Sequence, residues 1–151
     1  KILDIPVFHD DQHGTAIITQ AALMNAIDIQ KKNKKKIKIV VNGAGASAMA
    51  CTNLLLKSGV KKSNITMLDS KGVINLKRKG LNKWKSYYAA NTKAKNLKDV
   101  IKNADVFIGL SKPDILSITM LKSMAKDPIV FAMANPDPEI NYDLACSVET
   151  M

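Results

Sequence analysis

Four short stretches concentrate the residue types that can do chemistry. Gly43-Ala44-Gly45-Ala46-Ser47-Ala48 spells G-x-G-x-x-A. In that pattern the first glycine permits a tight turn, the second lets backbone approach a pyrophosphate, and the small third residue lets helix and strand pack closely. The stretch follows a β-branched run and opens a helical one, and helix N-terminal amides favour a phosphate. A glycine-rich turn without a ligand has the same spelling. Asp69 ends the second β-branched run. A carboxylate there accepts hydrogen bonds from both adenosine ribose hydroxyls and repels a 2′-phosphate, which favours NAD. Lys71, Lys77, Arg78 and Lys79 follow closely and neutralise a 2′-phosphate if the loop folds back, so NADP stays open.

The third stretch is Phe8-His9-Asp10-Asp11-Gln12-His13-Gly14-Thr15-Ala16. On extended backbone the carboxylates of Asp10 and Asp11 point to opposite sides, so one can bind a hard cation while the other faces a different partner. His9 and His13 offer an i, i+4 metal pair on a helix. Pro6 and Gly14 argue against helix there, and two histidines are an incomplete metal site. The bland reading of Asp-Asp is a helix cap. The fourth stretch is Ala134-Asn135-Pro136-Asp137-Pro138-Glu139. Asn135 can donate and accept at once, which suits an amide or carboxylate ligand, and Asn-Pro equally spells a turn.

The elements that must position these residues follow from periodicity. Apolar and small residues recur at helical spacing from Thr15, a candidate cap, to Gln30. Ile37 to Asn42 is apolar and β-branched, as a parallel strand covered on both faces should be. Ala46 to Ser58 reads as a helix closed by Gly59. Strands are expected at 65–69, 105–110 and 129–134, and helices at 83–90, 97–102 and 118–125, with a polar stretch between Asp69 and Asn82. Strands alternating with helices imply an α/β fold, a doubly wound parallel sheet of Rossmann type. Gly43, Asp69 and Asn135 then emerge at the carboxyl edge of the sheet, where open α/β folds bind ligands. Residues 1–30 read as a metal-site segment with a connecting helix, and 31–151 as the dinucleotide-binding domain. With Lys1 in place of a starting Met and dense chemistry within ten residues of it, the chain is expected to be a piece of a longer protein.

Composition narrows the classes further. The 151 residues are 46% hydrophobic, 24% charged and 5% aromatic, with net charge +10. These values suit one globular domain and exclude a disordered or fibrous chain. No apolar run approaches the ~20 residues that span a bilayer, so no membrane role is expected. Arg78 is the only arginine. With few Arg forks and few stacking aromatics, nucleic acid ranks last among the partners. The lysine run at 31–36 reads as a solvated connection. Cys51 and Cys146 lie far apart, and their lack of pairing motifs suggests a reducing, cytoplasmic setting. Cys51 reads as a packed thiol and Tyr87 and Tyr88 as helix packing residues.

Five blocks taken together closely resemble the malic enzymes, particularly the bacterial-type branch: Ile5-Pro-Val-Phe-His-Asp-Asp-Gln-His-Gly-Thr-Ala16, Val40-Val-Asn-Gly-Ala-Gly-Ala46, Leu68-Asp-Ser-Lys-Gly72, Ala104-Asp-Val-Phe-Ile-Gly-Leu-Ser111 and Phe131-Ala-Met-Ala-Asn-Pro-Asp-Pro-Glu139. The resemblance implies oxidative decarboxylation of L-malate to pyruvate and CO2 with NAD or NADP and Mg2+ or Mn2+. It implies Asp11 as a metal ligand, Asp10 as a contact of the catalytic lysine, Gly43 to Ser47 as the pyrophosphate cradle, and Asn135 at the substrate and nicotinamide end. The family's general-base lysine, proton-donating tyrosine and Glu-Asp pair lie N-terminal to the region present, and Tyr87, Tyr88 and Tyr142 do not match that tyrosine. Isolated, this region is therefore expected to be inactive, and the full-length protein to be a homo-oligomer. Two rivals remain open: another NAD(P)-dependent hydroxy- or amino-acid dehydrogenase, and a non-catalytic nucleotide-binding module.

Overall fold

A computed structural model describes residues 3–148. Its centre is a five-stranded sheet in the order β3-β2-β1-β4-β5. The strands are β1 (Ile39–Asn42), β2 (Ile65–Asp69), β3 (Gly72–Val73), β4 (Val106–Gly109) and β5 (Ile129–Ala132). All pairings are parallel except β2 with β3. β1 and β4 are buried along their whole length, as strands covered on both faces must be.

The pleat sends alternate side chains to opposite layers. Ile39, Val41, Val106 and Ile108 join Leu23, Ile27 and Leu55 from α1 (Asp10–Ile29) and α2 (Ala46–Lys57). Val40 and Phe107 join Ile101, Leu121 and Ile140 on the other face, around α4 (Leu97–Ile101), α5 (Ile118–Lys122) and α6 (Tyr142–Cys146). From β1 the chain runs outward to β2, then returns to place β4 on the other side of β1. That reversal is the switch point at which α/β sheets open a crevice.

Several expectations need correction. The first helix starts at Asp10, not Thr15, and runs through Gly14 with His9 as N-cap and no side-chain cap bond. Asp10 and Asp11 thus stand about 100° apart on a helical turn, not on opposite sides of an extended chain. Pro6 lies outside the helix, where it breaks nothing. Gly14 is tolerated because the Asp10 side chain folds over it: a Cβ at Gly14 would overlap the Asp10 carboxylate. The strand β3, the helix α6 and a 3-10 turn at Lys62–Asn64 were not foreseen, being too short for periodicity to register. The helix expected at 83–90 shrinks to α3 (Lys83–Tyr87). Of its tyrosines, Tyr88 is half-buried, while Tyr87 is exposed with the Lys62 ammonium 4.2 Å from its ring centroid.

The lysine run is mostly solvated. Lys32 is the exception: its Nζ donates to Asp105 Oδ1 at 3.0 Å and to the Lys126 carbonyl at 2.7 Å. Asp105 Oδ2 accepts the Lys38 N–H at 2.9 Å, so this pair fastens the end of α1 to the start of β4. Cys51 is buried between α1 and α2 beside the Thr19 hydroxyl, and burial pushes its thiol pKa up. No described helix is long and apolar enough to cross a membrane.

Candidate functional site

Two cavities open side by side at the carboxyl edge of the sheet. The first lies over the glycine turn and is lined by Asn42 to Gly45, Leu68 to Gly72, Lys85, Lys95, Leu110 and Ser111, among others. The second is lined by Asp10, Asp11, Gly14, Thr15, Ser47, Leu110, Ser111, Ala134 and Asn135. Leu110 and Ser111 belong to both walls. Asn42 Nδ2 donates to Ser111 Oγ at 2.5 Å, which ties the end of β1 to the end of β4 at the junction. Asp69 and Gly43 to Gly45 therefore line one side of this edge and Asp10, Asp11, Ser47 and Asn135 the other, while Ala46 lines a separate groove with His13.

The glycine turn has two different glycines in it. Gly43 has φ +137°, and a Cβ there would lie 2.5 Å from the Leu110 carbonyl oxygen. The fold itself requires this glycine. Gly45 has φ −83° and ψ −174°, a conformation any residue adopts, and nothing lies within 4 Å of a Cβ placed on it. Protein packing gives no reason for glycine at 45. The open space beside it adjoins the first turn of α2, whose amides have no intrahelical acceptor. Ala48 is buried against the sheet, as the small third residue of the motif should be.

Asp69 sits in the first cavity, but its carboxylate is already engaged. Lys85 Nζ and Arg78 Nη2 donate to Oδ2 at 2.6 and 2.8 Å, and the Lys71 N–H donates to Oδ1 at 2.9 Å. Burial alone would raise its pKa; the bonds from Lys85, the Lys71 amide and Arg78, with the guanidinium charge, outweigh it and hold the carboxyl below its ordinary value. Of the four cations expected to neutralise a 2′-phosphate, Lys71 lines this cavity and Arg78 is paired with Asp69 itself. Lys77 and Lys79 are exposed and do not line this cavity. Lys85 and Lys95 were missed, because each arrives from a separate element.

A lowered native pKa means that this cluster stabilises the fold above the unfolded carboxyl's pKa, about 4, and that its contribution disappears as pH falls below that. Asp69→Asn should be less stable than the wild type at pH 7, and the gap should close as pH falls below about 4, through the lowered pKa of the folded carboxyl. Urea unfolding at a series of pH values checks this; a gap independent of pH would contradict it.

In the second cavity, the Ser47 hydroxyl donates to the Asp11 carbonyl and joins the starts of α1 and α2. Asp10 and Asp11 are both exposed. Carboxylate oxygens suit a hard divalent cation, which commonly takes one or two of them and fills its other positions with water and substrate. His13 turns away into a different groove beside Trp84 and Tyr88, so the alternative His9–His13 pair does not join the carboxylates. Among the described residues no group of three His, Cys, Asp or Glu side chains could hold a metal alone. Asn135 is exposed at the rim, and its peptide bond to Pro136 is cis.

Comparison with known proteins gives the family. Residues 12–145 match the family described as "Malic enzyme, NAD binding domain". The chain is 56% identical over 141 residues to the "Probable NADP-dependent malic enzyme" of Rickettsia prowazekii, covering 93% of this chain and 18% of that protein. It is 52% identical over 147 residues to the NAD-dependent malic enzyme of Geobacillus stearothermophilus, covering 95% and 30%. The crystal structure of Entamoeba histolytica malic enzyme superposes with a TM-score of 0.88 at 36% identity, covering 97% of this chain and 32% of that one. The chain thus spans about a fifth to a third of the length of these relatives.

Proposed function

Since this chain belongs to the malic enzyme family, as its NAD-binding domain, we propose that it is the dinucleotide-binding part of an enzyme that oxidatively decarboxylates L-malate to pyruvate and CO2. The observation that carries the reading is the shared wall at Leu110 and Ser111. It brings the open space beside Gly45 and the carboxylates of Asp10 and Asp11 to adjoining cavities. When bound, a nicotinamide accepts hydride and a divalent cation lowers the pKa of the malate hydroxyl and polarises the carbonyl that replaces it. Asp11 holds the cation. Asp10, folded over Gly14, faces the lysine that the rest of the protein contributes, and Asn135 orients the substrate carboxylate and the carboxamide at the inner end of the dinucleotide. Residues 1–30 are read as the metal-site segment, with Asp11 as its ligand, and 31–151 as the dinucleotide-binding domain. The protein is proposed to work as a cytoplasmic homo-oligomer, which the two free thiols, Cys51 and Cys146, suit.

The test uses the full-length protein with Mn2+, L-malate and either dinucleotide. Malate-dependent reduction with equimolar pyruvate is expected. Reduction driven by another hydroxy or amino acid, with malate inert, would transfer the protein to the rival dehydrogenase reading. Saturable cofactor binding with no reduction would make it a nucleotide-sensing module.

The dinucleotide is proposed to be NADP. The carboxylate that would repel a 2′-phosphate is neutralised by Lys85 and Arg78, and Lys71, Lys95 and Lys112 add positive charge to the same cavity. Opposite charges a few ångströms from a partly desolvated phosphate favour it. Calorimetry on the full-length protein should give tighter binding of NADP than of NAD. Lys71→Ala combined with Lys95→Ala should weaken NADP about tenfold, roughly 1.4 kcal/mol, and leave NAD unchanged. NAD binding more tightly to the wild type would overturn this assignment.

A further inference from the structure

Glu139 is the only fully buried acidic side chain among the described residues, at 0% exposure. No ion pair among the described residues includes it. A buried carboxylate without a cation is costly unless hydrogen bonds compensate, and here the bonds are specific. Oε1 accepts the Ser111 N–H at 3.1 Å and Oε2 accepts the Ala134 N–H at 3.0 Å. The carboxylate lies flat against Gly109, where any Cβ would overlap it. Its own backbone carbonyl accepts the Leu116 N–H at 3.0 Å.

These two amides sit just beyond the ends of neighbouring strands. The β4–β5 ladder pairs Gly109 with Ala132, and its last backbone bond runs from Met133 N–H to Gly109 O at 3.1 Å. Past that point the chains diverge into the loops carrying Ser111 and Asn135, and the Glu139 side chain replaces the ladder as the link between them. Ser111 lines both cavities, and Ala134 precedes Asn135 in the second.

We propose that Glu139 is a positioning residue: it fixes Ser111 and Asn135 relative to each other across the β4–β5 exit, so that the nicotinamide end of the dinucleotide and the substrate meet in one geometry. This rests on the dinucleotide-dehydrogenase reading above. The carboxylate is required for a chemical reason. Two converging N–H donors need two acceptor oxygens, whereas a glutamine offers one oxygen and one NH2 that confronts the second donor.

The experiment uses the full-length protein and two variants. Glu139→Gln removes one acceptor, and Gly109→Ala displaces the carboxylate while leaving it intact. A loss of kcat of about 100-fold is expected from each, the scale of a misplacement of about 1 Å. The fluorescence of bound NADPH, which reports on the nicotinamide, should also change. Affinity for adenosine 2′,5′-bisphosphate, which probes only the adenosine half, should stay within about twofold, since that half lies along Gly43 to Lys71. A lower melting temperature with unchanged kcat and unchanged NADPH fluorescence would overturn the proposal and leave Glu139 a purely structural residue. If one variant is too unstable to assay, the other decides by the same kcat and NADPH-fluorescence readouts. If the wild type binds NADPH yet leaves malate untouched, the substrate assignment fails while the fluorescence arm still tests Glu139.

Discussion

Asp11→Ala in the full-length protein should lower malate oxidation by about 10^3-fold, about 4 kcal/mol of transition-state stabilisation, and abolish Mn2+ binding measured by calorimetry in the presence of dinucleotide. The size follows from the task. A divalent cation offsets the negative charge that the reaction develops, and among the described residues only Asp10 and Asp11 bring carboxylates into the cavity with Asn135. The simpler role for Asp11 is electrostatic: two acids in the first turn of α1 complement its dipole. That effect is worth about 0.3–1 kcal/mol of stability and nothing in turnover. Asp11 is exposed, so the fold should survive its removal in either case. Turnover and Mn2+ affinity at wild-type levels, with a slightly lower melting temperature, would leave Asp11 as a helix-dipole residue and remove the metal assignment.

The alternation of strands and helices was readable because β1 and β4 are continuous apolar runs bounded by turn residues, and the glycine pattern between β1 and α2 has a local physical meaning. Legibility failed where a local rule met a tertiary partner. Gly14 reads as a helix breaker until the Asp10 side chain is seen lying over it. Asp69 reads as a free ribose acceptor until Lys85 arrives from α3, sixteen positions away. Glu139 reads as the tail of an Asn-Pro turn, and no periodicity signals that its carboxylate reaches back to Ser111, a separation of 28 residues. The core strands are specified by composition over a few neighbours. The site is specified by contacts between loops at the ends of different strands, which is where α/β folds concentrate function and where a linear reading has least to work with.

The two glycines of the turn separate folding from binding, and substituting each by alanine should produce opposite results. Gly43→Ala forces a side chain into a φ of +137° and against the Leu110 carbonyl. Strain of about 1–3 kcal/mol from the conformation adds to a similar amount from overpacking, so a loss on the order of 3 kcal/mol or more in urea unfolding is expected. Gly45→Ala meets neither obstacle, since its backbone is already extended and its surroundings are open. Its melting temperature should stay at the wild-type value or rise slightly, because alanine narrows the unfolded ensemble. If a pyrophosphate lies in that opening, however, the added methyl group occupies the space of a phosphate oxygen, and NADP affinity should fall about 100-fold, close to 3 kcal/mol. A stable Gly45→Ala protein that still binds NADP as tightly as the wild type would mean that the dinucleotide lies elsewhere. The glycine pattern would then be a property of the turn alone, and the shared wall at Ser111 would connect no cofactor to Asp11.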